Sequence, residues 1–303
     1  MKLFLKYISR FLIFLFTVFL LIIIGNYWLI QLTPINFPSK KNILILGDSN
    51  SECAINDDIF KRSTNFSAPA ESYYYSYLKL KKILETKQAI DTVLLSFSPH
   101  NIFDNNWFAS QNHIENNFCR YYPFMSRNDF RFLLESHPKS VIYSLRSIAL
   151  QFLKNIFRKI TGSHSLQLGG FTSLDLDRLE EALQSLKAGE PIKNFRLPKD
   201  LYPTNVEIAY INKIVQLCEK SQLRLILINL PKRLELLNDK RYGMEEFQIV
   251  YNTKFNQLDY FNFSSLSMED EMYADLLHLN KQGSSYFSNF LETSGWESFR
   301  YVQ

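Results

Sequence analysis

With 303 residues, 46% hydrophobic and 21% charged, the chain can form one large domain or two small ones, and its balance excludes broad disorder. Its net charge of +4 is concentrated at one end, because Lys2, Lys6 and Arg10 precede the first apolar run and leave the remainder near neutral. A near-neutral body lacks the basic surface that nucleic-acid binding needs, so that class of partner is set aside.

Residues 1–10 form a basic N-terminus, and residues 11–32 follow as a charge-free apolar run. A helix of that length crosses a hydrocarbon core of roughly 30 Å, and Tyr27 and Trp28 fall where aromatic side chains favour the membrane interface. A buried helix of a soluble domain is seldom so long and free of charge. A cleaved signal peptide has a shorter apolar stretch and small residues at the cut site, whereas this run ends in GNYWLIQL. The pattern predicts an uncleaved transmembrane signal anchor over 11–32. The basic flank puts the N-terminus in the cytoplasm and the body on the extracytoplasmic side, which is the periplasm if the source is bacterial.

Residues 33–40 carry two prolines and read as a linker. Beyond it, 42–47 (NILILG), 91–97 (DTVLLSF), 223–230 (LRLILINL) and 258–264 (LDYFNFS) read as strands, with a shorter one at 63–68. Helical spacing marks 71–85, where Tyr74, Tyr77, Leu78 and Ile83 share a face opposite lysines, as well as 140–157, 206–221, 243–254 and 281–294. Alternating strands and helices predict a mostly parallel α/β sheet covered on both faces, spanning 41–303. The stretch from about 105 to 200, helical and without strong strands, is expected to be an insertion.

Cys53, Cys119 and Cys218 are odd in number and irregular in spacing, so no metal motif is present and at most one disulfide is possible. Cys218 sits on the apolar side of its helix, which favours a buried thiol. Nothing in the sequence asks for a cofactor.

Two motifs fall at the carboxyl ends of strands, where functional groups of parallel sheets collect. Gly47-Asp48-Ser49 follows the first strand, and a serine on such a turn becomes nucleophilic only beside a base. Asp275-Leu276-Leu277-His278 follows the last strand. An aspartate three residues before a histidine can hold one ring nitrogen and leave the other for the serine. Each motif alone is common in turns and surface ion pairs, and their joint order carries the argument.

On these residues the chain resembles the SGNH (GDSL-type) hydrolases, over roughly 41–100 and 205–294. The resemblance implies a three-layer α/β/α sandwich with a flavodoxin-like sheet, and a triad of Ser49, Asp275 and His278. The family's oxyanion glycine corresponds to the stretch Asn65–Glu71, in which Ala70 can donate an N–H and Pro69 cannot. Its oxyanion asparagine corresponds to Ser98-Pro99-His100-Asn101, where either His100 or Asn101 can donate. With the N–H of Ser49, these are the expected oxyanion donors.

The anchored form is similar to envelope proteins that handle acyl groups on polysaccharides. The leading expectation is therefore an O-acyl esterase or acyltransferase acting on an acylated glycan or related ester, with a multi-spanning acyltransferase as a natural partner for transfer. The altered oxyanion blocks support an alternative, a non-catalytic glycan-binding or assembly protein that keeps the fold. Elsewhere, His113, His137 and His164 are expected on the surface or in loops, tyrosines 73–77 in packing rather than sugar stacking, and Gly169-Gly170 in a turn.

Overall fold

The computed structural model describes residues 1–86, 89–103, 111–162, 165–166, 168–175, 178–190, 192, 197–198 and 200–293; His164 lies outside them. The chain forms two compact units, Met1–Asn36 with Ala109–Leu166, and Phe37–Phe108 with Gln167–Gln303.

The second unit is built on five parallel strands, β1 (Ile43–Leu46), β2 (Ser63–Asn65), β3 (Thr92–Ser96), β4 (Arg224–Asn229) and β5 (Asp259–Asn262). They lie in the order β2-β1-β3-β4-β5, with Ile45, Leu94 and Ile226 in register across the centre. All five expected strands form, each trimmed at its ends. The four residues of β1 are wholly buried, which is why its sequence is continuously apolar rather than alternating.

Between and beyond the strands lie α2 (Ser49–Ala54), α3 (Tyr73–Leu84), α4 (Pro99–Phe103), α8 (Leu179–Ala188), α9 (Asn205–Lys220), α10 (Leu234–Leu237), α11 (Met244–Lys254) and α12 (Lys281–Thr293). On one face Ile43, Ile45, Leu94, Ile228 and Phe261 pack with Phe287 and Leu291 of α12 and Leu179 and Leu186 of α8. Burying each such side chain fully contributes about 1.5–3 kcal/mol. The expected 105–200 insertion therefore divides, since α8 belongs to the sheet's own core. On the other face Tyr260 packs against Tyr251 of α11, and Tyr74 of α3 meets Tyr210 of α9 edge-on with centroids 4.8 Å apart. The tyrosine run is packing: Tyr73, Tyr74 and Tyr75 are buried, and Tyr73 donates to the Ser96 carbonyl at 2.8 Å.

One expectation about α3 is corrected. Lys79, read as part of a solvent-facing lysine side, is fully buried and pairs with buried Glu71 at 2.5 Å. Its ammonium also donates to the Phe66 carbonyl, and Ser76 donates to the other Glu71 oxygen at 2.8 Å. The pair ties the loop after β2 to α3.

The first unit holds α1 (Lys2–Leu32), α5 (Gln111–Tyr121), α6 (Arg127–Ser136) and α7 (Pro138–Ile160). The helix α1 extends well before the apolar run and is long and apolar enough to cross a membrane. Its described side chains from Leu3 to Val18 are exposed, whereas Phe19, Ile22, Ile23, Asn26 and Ile30 are partly or fully covered at helical spacing. Asn26, buried within the apolar run, donates to the Tyr122 hydroxyl at 3.2 Å and accepts from Asn155 at 3.0 Å. Tyr122 in turn donates to the Ile23 carbonyl at 2.9 Å.

His113 is also corrected. It is buried on α5, and burial pushes its pKa down to about 4. His137 is half-buried at the junction of α6 and α7. All three cysteines are free and buried, so the disulfide left open does not form.

Removing one partner of a buried ion pair strands the other charge in the interior. Glu71→Ala should lower the unfolding free energy by about 3–5 kcal/mol in a denaturant titration of the detergent-solubilised chain. Adding Lys79→Met to Glu71→Ala should recover a large part of that loss, and a double variant no more stable than the single would refute a charge origin.

Candidate active site

The site forms where β1 ends. Gly47 takes a φ of +152°, and a side chain there would collide with Ser96 of β3 at 2.4 Å, so the turn into α2 closes only on glycine. Asp48 caps α2, accepting from the Asn50 N–H at 3.1 Å, and Ser49 opens the helix half-buried.

The base arrives on a loop whose flanks, Tyr273 and Leu279, form an antiparallel bridge. Ala274 N–H donates to the His278 carbonyl at 2.9 Å, which closes the loop around Asp275. Asp275 Oδ1 accepts the N–H groups of Leu277 and His278, both at 2.8 Å. Asp275 Oδ2 lies 2.9 Å from His278 Nδ1, and His278 Nε2 lies 2.9 Å from Ser49 Oγ. The structure thus brings Ser49, His278 and Asp275 into one hydrogen-bonded line. With Nδ1–H donated to the carboxylate, Nε2 has a lone pair for the serine O–H.

The electrostatics favour the ionised form of Asp275 and the protonated form of His278. Burial would raise the Asp275 pKa, but the hydrogen bond and charge of His278 outweigh it and hold the carboxyl below its usual range. Burial would lower His278, but the hydrogen bond and charge of Asp275, with the charge of Asp48, lift it above its ordinary value.

The expected oxyanion groups separate. Ala70 sits in an exposed turn after β2 with a φ of +54°, a left-handed conformation that suits the glycine of the resembled family. His100 is corrected from the set of oxyanion donors: it is buried, with Nε2 2.7 Å from Asp48 Oδ2 and Nδ1 3.1 Å from Ser98 Oγ. Its ring points into the protein. Asn101 is half-buried, donates to Asp48 Oδ2 at 2.9 Å and accepts from Ser98 Oγ at 2.6 Å.

These bonds converge on a carboxylate with no exposure to water. Burial would raise the Asp48 pKa, but hydrogen bonds from His100 and Asn101 and the charges of His100 and His278 hold it well below the carboxylate range. Burial pushes the His100 pKa down, and the hydrogen bond and charge of Asp48 offset only part of that.

Two site features were missed in the sequence. Lys232, after β4, is buried, donating to Asn229 Oδ1 at 2.7 Å and to the Leu230 carbonyl at 3.1 Å. Burial pushes its ammonium down to about 7, against a rise from the Asp48 charge. A lysine just beyond a strand's carboxyl end was the only available signal.

The second is a strap over residues 168–174. Gly170 N–H donates to the Ser67 carbonyl at 3.0 Å, Thr172 N–H to that of Glu52 at 3.2 Å, and Lys281 N–H to that of Leu174 at 3.1 Å. Thr172 Oγ1 also donates to Glu52 Oε1 at 2.8 Å. The strap so touches the loop after β2, the helix of Ser49, and the residues just beyond His278. A cavity of about 610 Å³ lies beside it, lined by Leu174, Asp175, Glu180, Tyr273, Asn280 and Gln282 among others. Among the described residues no three His, Cys, Asp or Glu side chains converge to hold a metal ion.

The parallel sheet in this order, with the serine after its first strand and the Asp-x-x-His loop after its last, has the arrangement that the sequence resemblance implies. The fold is α/β, a five-stranded parallel sheet with flanking helices. No family model matches the sequence, and no curated protein matches it. Among solved structures the chain is similar to an inferred acylhydrolase from Bacteroides fragilis, at 11% identity and a TM-score of 0.39, over 89% of this chain and 93% of that one. It is also similar to an inferred platelet activating factor from Streptococcus pneumonia, at 12% identity and a TM-score of 0.40, over 95% and 98% of the two chains. Likeness at this level says nothing about activity.

Because the folded pKa of Lys232 lies below its unfolded value of 10.5, the unfolded chain binds the extra proton between about pH 7 and 10.5. Stability should therefore gain up to about 1.4 kcal/mol per pH unit across that window from this group. Unfolding titrations of the wild type and Lys232→Met should diverge with that sign, and parallel curves would refute it.

Proposed function

We infer that the chain is a membrane-anchored serine acyl-transfer enzyme, an esterase or O-acyltransferase working on acyl esters of a cell-envelope polysaccharide. The observation that carries it is the line Ser49 Oγ–His278 Nε2–Asp275, closed at 2.9 Å at both hydrogen bonds. Hydrogen-bond reach between nucleophile and base is the geometric requirement for activating a serine.

In the reaction Ser49 Oγ attacks the acyl carbonyl while His278 Nε2 takes its proton, and Asp275 stabilises the imidazolium that results. Collapse of the tetrahedral adduct expels the alcohol oxygen, which receives the proton back from His278 and leaves acyl-Ser49. Water or a sugar hydroxyl then attacks the acyl group, giving hydrolysis or transfer with the same three residues. The N–H groups of Ser49 and Ala70 and the half-buried amide of Asn101 are the donors proposed for the oxyanion. The charge-free run 11–32 of α1 fits a substrate held in the envelope, and the basic residues before that run fit an extracytoplasmic body.

The purified chain should hydrolyse p-nitrophenyl acetate and react with a fluorophosphonate probe. Ser49→Ala should abolish labelling and lower kcat by roughly 10⁴-fold or more. Undiminished turnover in that variant would sink the assignment, and a wild-type chain that fails to react with the probe yet binds glycan would favour the alternative of a non-catalytic glycan-binding protein that keeps the fold.

His278 must be neutral to accept the serine proton, and its pKa is raised above 6.5. A pH–kcat/KM profile should accordingly fall as pH drops through a value above 6.5, the base becoming protonated. Asp275→Asn removes the principal group that raises this pKa, so the acid limb of its residual activity should move to lower pH. An unmoved limb would count against His278 as the titrating base.

A further inference from the structure

The helix α7 has two apolar faces, and only one is used. Val141, Ser144 and Ile148 turn inward and are buried. The Phe152 ring lies over Gly25 of α1, and Asn155 donates to Asn26 of α1 at 3.0 Å. The opposite face carries Leu150, Leu153, Phe157 and Ile160, spaced three and four residues apart and between 61% and 78% exposed. Scattered surface leucines are ordinary, but an aligned row of large apolar side chains marks a contact surface.

Two observations identify what covers it. The stripe belongs to a helix packed on a segment already suited to lipid: Phe152 and Asn155 fix α7 at the level of Gly25 and Asn26, near which Leu21, Ile24 and Trp28 of α1 are also exposed. The composition of α7 also fits, with five basic residues, Lys139, Arg146, Lys154, Arg158 and Lys159, and no acidic one. An apolar stripe beside basic side chains is the pattern of helices that seat in an anionic lipid interface.

We propose that α7 is a second membrane contact, its stripe of Leu150, Leu153, Phe157 and Ile160 seated in lipid beside α1 and its basic residues on anionic head groups. The proposal rests on α1 being a membrane helix. With α1 alone in lipid, the tilt of the helical unit to the bilayer would depend on that one helix. With two contacts, its orientation to the bilayer is set.

The test is spin labelling of the full chain in vesicles of phosphatidylethanolamine and phosphatidylglycerol. Labels are placed singly by Leu153→Cys and Phe157→Cys, with Phe14→Cys on α1 as the lipid reference and Lys254→Cys as the aqueous one. The three native cysteines are buried. Accessibility to oxygen relative to a water-soluble nickel chelate should shift at Leu153 and Phe157 away from the Lys254 value and toward that of Phe14. Values at the Lys254 level with a lipid-like Phe14 would overturn the proposal and leave the anchor standing. A water-exposed Phe14 would overturn both. Protection of Leu153 and Phe157 from both reagents, or spin–spin broadening between copies, would show a protein on the stripe and overturn it as well.

Discussion

The buried charge of Asp48 is the constraint around which the site is assembled. A carboxylate without solvent survives only if every oxygen is supplied with donors, since an uncompensated buried charge costs several kcal/mol. The donors come from separate segments: the Asn50 N–H from α2, His100 and Asn101 from α4, and Ser96 Oγ, at 3.4 Å, from β3. Satisfying that one group therefore fixes the helix that carries Ser49 against the strand end beside it. The nucleophile's position is a by-product of solvating its neighbour.

The same requirement explains the replacement of an asparagine amide by His100. The imidazole places Nε2 2.7 Å from the carboxylate and Nδ1 3.1 Å from Ser98 Oγ, so it bridges Asp48 to the turn that carries Asn101. The amide that remains half-buried is then Asn101, one position later, itself steered by Asp48 and Ser98. The two family positions are filled by a support and a projecting group rather than by two donors.

How much of this was legible in the sequence follows the range of each interaction. Strands such as Ile43–Leu46 announce themselves through local apolarity, and Ser49, Asp275 and His278 through short motifs at strand ends. Lys79 was not legible: on the helix pattern it belongs with the solvent-facing lysines, and only Glu71, reached through the fold, makes its burial tolerable. His113 was lost in the same way, because nothing local says which face of α5 turns inward. Thr172 is the extreme case, since its partner Glu52 is 120 residues away and neither carries a motif.

The arrangement of charge also settles how the base is tuned. His278 feels two carboxylates, Asp275 directly and Asp48 across the turn, and both favour its protonated form. Left unopposed, they would hold the imidazole as a cation and deny Ser49 its acceptor. Burial and the Lys232 ammonium push the other way. Lys232 keeps its place by neutral acceptors, Asn229 Oδ1 and the Leu230 carbonyl, so its charge is not cancelled at short range. Asp48 is thus needed to build the turn, yet it biases the base against its task. Burial is the larger counterweight and the Lys232 ammonium on the neighbouring strand end the smaller, and together they limit the rise without reversing it.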